Sequence, residues 1–273
     1  MSIALIQQHA SVNLDDNRKR GLAAVDDAAG QGANIVCFAE LAFDPFYPQW
    51  KATDELRNRA EPVPGDTTEV FAAKAKEHGV VIVLNLYERA TDGNYDSSPV
   101  IDADGSLLGV TRMIHITDYE GFFEQGYYNK GDTGAPVYRT RHGNIGVAIC
   151  YDRHYPEYMR ALAVNGADVV FVPQAGAIGE WPEGLFEAEM RVAAFQNGYF
   201  TALCNRVGKE ELLEFAGESF VCNPAGEVIA RAGTGTNEIL MRDLDISQNA
   251  QSHARKLFFR DRRPELYADF VGR

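Results

Sequence analysis

The chain has 273 residues, a formal net charge of −13, 45% hydrophobic residues and 11% aromatics. That length holds one large domain or two small ones around a sizeable core, and the apolar fraction excludes a disordered chain. The acidic balance opposes binding to nucleic acid or to anionic membrane, and no apolar run approaches the roughly 18 residues of a transmembrane helix.

The chain starts Met-Ser-Ile-Ala-Leu-Ile-Gln-Gln-His, with neither a basic leader nor a small-residue cleavage site. No signal peptide is expected, and a cytoplasmic location is. Residues 3–7 read as a short apolar strand. Residues 13–29 follow as a helix, with acids early and apolar residues at Leu22, Val25 and Ala29. Residues 30–33 break it, and 35–38 form a continuous apolar strand. A helix over 69–77 then precedes a buried strand over 80–86. Residues 99–110 predict a hairpin turning at Asp104-Gly105.

A third unit opens with a strand over 145–150, and Pro156 stands at the first turn of a helix that ends at Asn165-Gly166. Strand 169–172, helix 183–197 and strand 200–204 come next. A second hairpin over 220–230 turns at Pro224-Ala-Gly226. Residues 253–273 mix charge with aromatics, which predicts a tail docked on its own fold or on a partner subunit. No linker interrupts residues 1–273, so a single α/β domain is expected, helices outside and sheet inside. Neither a Gly-x-Gly-x-x-Gly turn nor a Walker-type loop is present, which weakens a nucleotide-binding reading.

The four cysteines, Cys37, Cys150, Cys204 and Cys222, are far apart, with no Cys-x-x-Cys pair and no histidine cluster nearby. Neither a disulfide framework nor a metal site is expected, and no cofactor is implied. Cys150 lies at a strand-to-helix elbow, which exposes a side chain above the sheet and favours a thiolate. Position alone leaves two readings open: a nucleophile, or the last buried residue of the strand.

A thiol attacking an amide needs a group to take its proton and return it to the leaving nitrogen. Glu40, at the exit of the apolar run Ile35-Val-Cys-Phe-Ala, is the leading candidate. Glu124, inside Gly121-Phe-Phe-Glu-Gln-Gly-Tyr-Tyr128, is the second. His115 and His154 suit core or supporting roles as well as catalysis.

These segments belong to an ordered series: Phe38-Ala-Glu40, Gly121-Phe-Phe-Glu124, Gly131-Asp132, Ile145-Gly-Val-Ala-Ile-Cys-Tyr-Asp152, Tyr155-Pro-Glu157, Gly166-Ala167, Asn205-Arg-Val-Gly208 and Arg262-Arg-Pro-Glu-Leu-Tyr267. The series covers essentially the whole chain and resembles the nitrilase superfamily of carbon–nitrogen hydrolases. That resemblance implies a four-layer αββα sandwich, assembled as a homodimer or larger homo-oligomer and acting on a small molecule. It implies Cys150 as nucleophile, Glu40 as general base and Glu124 as a second carboxylate that positions the site. The family pattern also places a lysine two residues before a histidine. This chain reads Thr111-Arg-Met-Ile-His-Ile116, so Met113 stands at the lysine position.

A thioether cannot stabilise an oxyanion by charge, and losing one such donor typically costs about 10²–10³ in kcat. Arg112 should look away, since adjacent strand residues face opposite sides. Lys130 would have to fold back. Met113 then marks either a natural branch with retuned chemistry or a replaced lysine.

The stretch Cys150-Tyr-Asp-Arg-His-Tyr-Pro most resembles the ureido-acid hydrolases, in which Arg153 would clamp a substrate carboxylate. Gln174, Trp181, Glu180 and Glu183, after a strand, are lining candidates; Tyr47, with Phe43 and Phe46, is a candidate apolar wall. The acids of the 174–183 loop favour an amine-bearing substrate. The expected activity is hydrolysis of a non-peptide C–N bond in a small N-carbamoyl amino acid, N-carbamoyl amine or amide. The alternatives are a binding protein impaired by Met113 and a true nitrilase.

Overall fold

The computed structural model describes residues 1–271. Strands β1 (Ser2–Gln7), β2 (Ile35–Phe38), β3 (Val81–Val83), β4 (Leu86–Arg89), β5 (Asn94–Ile101) and β6 (Leu107–Arg112) belong to one sheet. The other sheet takes β7 (Val137–Thr140), β8 (Gly143–Val147), β9 (Val169–Gln174) and β10 (Phe200–Asn205). β11 (Val207–Lys209) and β12 (Glu214–Ala216) form a separate ribbon, whereas β13 (Phe220–Cys222) and β14 (Val228–Arg231) extend the second sheet. The last strand, β15 (Glu238–Asp243), returns to the first sheet beside β1. Each sheet is built on three parallel central strands, β1-β2-β3 in one and β8-β9-β10 in the other, with antiparallel strands at its margins.

The helices are α1 (Leu14–Gly30), α2 (Asp54–Arg57), α3 (Asp66–His78), α4 (Pro156–Val164), α5 (Leu185–Asn197), α6 (Ser247–Gln251) and α7 (Pro264–Val271). Strand alternation sorts the core into three slabs. Ile3, Leu5, Ile35 and Cys37 of one sheet meet Ile145, Val147, Val169 and Phe171 of the other. Their neighbours Ala4, Ile6, Val36 and Phe38 face outward onto Val25, Phe71 and Ala75 of α1 and α3. Val170 and Val172 face Leu162 and Met190 of α4 and α5. The result is the expected αββα sandwich. Cys37, Cys204 and Cys222 are packing residues within it, with the Cys204 thiol 3.4 Å from the carbonyls of Ile6 and Cys37.

Several boundaries differ from the sequence expectation for local reasons. The strand expected over 80–86 is broken, because Asn85 turns inward: its Oδ1 accepts from the Leu41 N–H at 2.8 Å. The 99–110 hairpin begins earlier, at Asn94, which places Asp96 inside a buried strand. β8 stops at Val147, and Cys150 opens a short 3-10 turn, Cys150–His154, instead of ending the strand. Just before the tail, Asn249 donates to the Asp168 carbonyl, and within it the Arg255 guanidinium points at the carbonyls of Ala163, Ala167 and Gly198. These contacts fasten the segment to its own fold, where it meets the ends of α4 and α5. The last two residues of the expected docking tail, 272 and 273, lie outside the described residues.

Gly21 shows how closely the outer layer packs. A Cβ there would lie 2.5 Å from a ring carbon of Phe43 and 3.2 Å from Phe71. Alanine favours a helix over glycine, yet overpacking of this kind costs about 1–3 kcal/mol. Gly21→Ala is therefore expected to lower Tm by several degrees in a thermal melt, reversing the propensity ranking.

Candidate active site

Glu40 and Cys150 leave the two facing sheets at the same kind of place, just beyond the C-terminal ends of the parallel strands β2 and β8. Both belong to turns that L-residues rarely adopt: φ is 40° at Cys150 and 46° at Leu41. Such strain persists only where its surroundings over-determine it. Around Leu41 the determinants are Asn85, accepting from its N–H, and the buried Arg206 guanidinium, which donates to the carbonyls of Glu40 (2.9 Å), Leu41 and Asp44 (2.8 Å). Around Cys150 the determinant is Arg153, whose Nη1 donates to the Cys150 carbonyl at 2.7 Å.

Glu40 and Glu124 are fully buried and Cys150 is 4% exposed. Glu124 sits on a 3-10 turn, Glu124–Gly126, and accepts from the Thr117 N–H at 3.3 Å. Burial raises the Glu40 carboxyl to about 8; the charge of Glu124 adds to the rise, while hydrogen bonding with Cys150 and Asp96 opposes it. Neither Glu40 oxygen has a partner that is unambiguously a donor. Glu124 is also held well above the carboxylate range by burial and by Asp96. Burial pushes the Cys150 thiol up, as do Glu40, Glu124 and Glu180, with Arg153 opposing them. At rest the site therefore holds a neutral thiol beside a carboxyl poised near neutrality.

Met113 is buried in the same inter-sheet slab as Cys150. Its N–H donates to the Asp96 carbonyl at 2.9 Å, and its carbonyl accepts from Gly131 at 2.8 Å. Asp152 anchors the next two residues, accepting from the Ile114 and His115 N–H groups and pairing with His115 Nδ1 at 2.7 Å. Arg112 faces away, as alternation requires, and pairs with Glu88 and Asp132, while Lys130 is exposed.

The expected substrate residues scatter. Arg153 is almost wholly committed: besides the Cys150 carbonyl it bonds Gln174 Oε1 (2.9 Å), pairs with Glu189 (3.2 Å) and lies over the Phe186 ring. It is no open carboxylate fork, and only its Nη2 lacks a partner. Gln174 points to the helix side of its sheet and lines a cavity of about 430 Å³, to which Glu40, Glu124 and Cys150 contribute nothing. Tyr47 is buried and donates to Asp44 at 2.6 Å; Phe43 packs into the outer layer against Phe38 and Phe71. Trp181 does come near, edge-on to Tyr119 and His154, whose Nδ1 is bonded to Glu189. Glu180 beside it accepts from the Tyr119 hydroxyl at 2.5 Å, and its charge reaches both Cys150 and Glu124. Glu183 is exposed.

Asp96 and Asn85 were not singled out from the sequence, and Arg206 stood in the motif Asn205-Arg-Val-Gly208 without a role. Asp96 had one legible signal, a carboxyl inside the otherwise apolar and hydroxylic run Tyr95-Asp-Ser-Ser-Pro-Val-Ile101.

The raised Glu40 carboxyl has a consequence for stability. Between 4.5 and about 8 the unfolded chain releases a proton that the native state keeps, so this group's contribution falls as pH rises through that window. Glu40→Gln removes the ionisation. Its melting temperature is expected to exceed that of the wild type by on the order of 5 °C above about pH 9, and to match it near pH 4.

A family model described as "Carbon-nitrogen hydrolase" matches residues 2–253. The chain is 36% identical to N-carbamoylputrescine amidase of Solanum lycopersicum, over 98% of this chain and 93% of that protein. It is 31% identical to a nitrilase of Pyrococcus abyssi, over 98% and 99% of the two chains. Among solved structures, a carbon–nitrogen hydrolase from Helicobacter pylori G27 superposes with a TM-score of 0.92 at 28% identity, covering 99% of this chain and 98% of the other. With the two-sheet sandwich and the buried thiol and carboxyls at its rim, these matches lead to one conclusion: the chain belongs to the carbon–nitrogen hydrolase family.

Proposed function

We propose that this enzyme hydrolyses the C–N bond of a small N-carbamoyl amine or amide, with Cys150 as nucleophile, Glu40 as general base and acid, and Glu124 as the carboxylate that positions the site. The observation that carries this reading is a thiol and an unpartnered carboxyl buried side by side where two sheets meet. Unpaired buried carboxyls are costly and are kept where chemistry uses them.

The reaction runs in two halves. Glu40 takes the thiol proton as sulfur bonds to the carbonyl carbon. The tetrahedral adduct collapses, the C–N bond breaks, and Glu40 returns the proton to the departing nitrogen. Water, deprotonated by Glu40, then attacks the carbonyl carbon, the C–S bond breaks, and Glu40 returns that proton to the sulfur as the acid or carbamate leaves.

Charge argues for an amine on the substrate. The charge of Glu180 reaches Cys150, and Arg153, the cation that acts on the thiol, is paired with Glu189. A relative at 36% identity is named for N-carbamoylputrescine, itself an amine. A ureido acid is the second reading, favoured by the one unpartnered nitrogen of Arg153. Four thiols without a disulfide fit the reducing cytoplasm. Exposed Val164, Val192 and Phe195 on α4 and α5 fit a homodimer or larger homo-oligomer.

Incubation with N-carbamoyl amines, ureido acids, amides and nitriles, followed by intact-protein mass measurement, is expected to show an acyl or carbamoyl adduct on the wild type and none on Cys150→Ala. A wild type that never acquires an adduct from any of these classes overturns the reading. Met113→Lys should raise kcat by about 10²–10³ if the oxyanion lacks only that cation. An unchanged kcat in a folded Met113→Lys protein would show that this site does not depend on a cation there.

A further inference from the structure

A third buried carboxyl lies in the site, and neither the family pattern quoted above nor the proposed reaction uses it. Asp96 is fully buried on β5. Its Oδ1 accepts from Asn85 Nδ2 at 2.6 Å, and its backbone carbonyl accepts from the N–H of Met113. Its Oδ2 has no partner, nor has either oxygen of Glu40, yet the two carboxyls lie within hydrogen-bonding reach of each other. Asn85 fixes their spacing, because the same side chain accepts from Leu41, the residue after Glu40.

Two ionised carboxylates in contact leave all these oxygens as acceptors facing acceptors, the costliest arrangement a buried polar site can adopt. One proton between them turns two orphaned oxygens into a short charge-assisted hydrogen bond. Among the described residues no cation forms an ion pair with either carboxyl. Arg206 is bonded to three carbonyls and Glu210 and keeps only Nε without a partner, Arg153 is bonded to the Cys150 carbonyl, Gln174 and Glu189 and keeps only Nη2, and Met113 offers neither charge nor proton.

We infer that Asp96 is a positioning residue that shares one proton with Glu40, so that the pair carries a single negative charge while Cys150 is attacking. The proton stays with the pair throughout. The thiol proton arrives as a second one when the S–H bond breaks, and leaves with the nitrogen when the C–N bond breaks. The remaining groups around the pair agree with this state. Glu40 also feels Glu124, Cys150 and Arg206; Asp96 also meets Asn85 and, at longer range, Asp152; the buried Tyr128 hydroxyl, itself without a partner, lies within reach of the charge of both carboxyls and Glu124. Apart from Arg206 these are acidic or neutral, so they favour keeping the proton. Burial and Glu40 hold Asp96 well above the carboxylate range. The two groups titrate as a unit.

The inference rests on Glu40 acting as the base, and its test separates the two claims. Asp96→Asn mimics the protonated acid, since an amide keeps an acceptor for Asn85 and presents a donor to Glu40. Asp96→Ala supplies no donor. Asp96→Asn is expected to keep kcat near neutral pH within about threefold of the wild type and to leave the acid limb of the kcat profile in place. Asp96→Ala should move that limb upward by about one pH unit and lower kcat at least tenfold, with little change in KM.

Infrared difference spectra of wild type minus Asp96→Asn should show the carbonyl stretch of a neutral carboxylic acid near neutral pH, a readout that needs no turnover. Loss of activity in a folded Asp96→Asn equal to that of Asp96→Ala would overturn the inference, because it would mean that the charge of Asp96 is needed. So would an Asp96→Ala profile identical to the wild type, or a wild type without the neutral-acid band. If instead the Cys150 adduct never forms in any of these proteins, the reaction assignment has failed, and the infrared band alone decides whether the proton is shared.

Discussion

The architecture of this site depends on one energetic fact, that a thiol and a carboxyl have been taken out of water together. In bulk water Cys150 and Glu40 would exchange a proton with a strong bias, since ordinary thiol and carboxyl values lie several units apart. Burial between the sheets lifts the carboxyl to about 8 and pushes the thiol up as well, so both groups are held neutral and a proton passed between them leaves the charge of the buried site unchanged. Everything nearby serves to keep that arrangement affordable.

The scaffold pays for it through two backbone turns. Leu41 and Cys150 both adopt positive φ at the ends of facing parallel strands, and each is held by a buried guanidinium bonded to main-chain carbonyls. Arg206 and Arg153 thus do similar work for the turns that carry Glu40 and Cys150. Their charges are paired with Glu210 and Glu189. Met113, buried in the same slab, brings no charge of its own.

Much of this was legible in the residues. Alternation in Ile3-Ala-Leu-Ile and Ile35-Val-Cys-Phe sorts correctly between the inter-sheet core and the helix layer, and Pro156 opens α4 where its missing N–H does no harm. The ordered motifs brought Glu40, Glu124 and Cys150 into consideration, and the structure places them in one buried region. What the sequence hid depends on contacts distant along the chain. Asp96 looked like one polar residue in a strand until Asn85 and Glu40 were seen against it. Arg153 looked like a substrate clamp because its distance from Cys150 along the chain is short, whereas the 3-10 turn swings its guanidinium back onto the Cys150 carbonyl and toward α5. Strand periodicity likewise sends Gln174 to the outer face, away from the thiol, although it ends the strand next to the site.

The most direct measurement of the central claim is the pH dependence of Cys150 alkylation by a small neutral reagent, wild type against Glu40→Gln. If the carboxyl accepts the thiol proton, the wild-type rate rises through an inflection near 8, and the variant loses that inflection, reacting only where the buried thiol ionises on its own. Superimposable profiles for the two proteins would contradict the account.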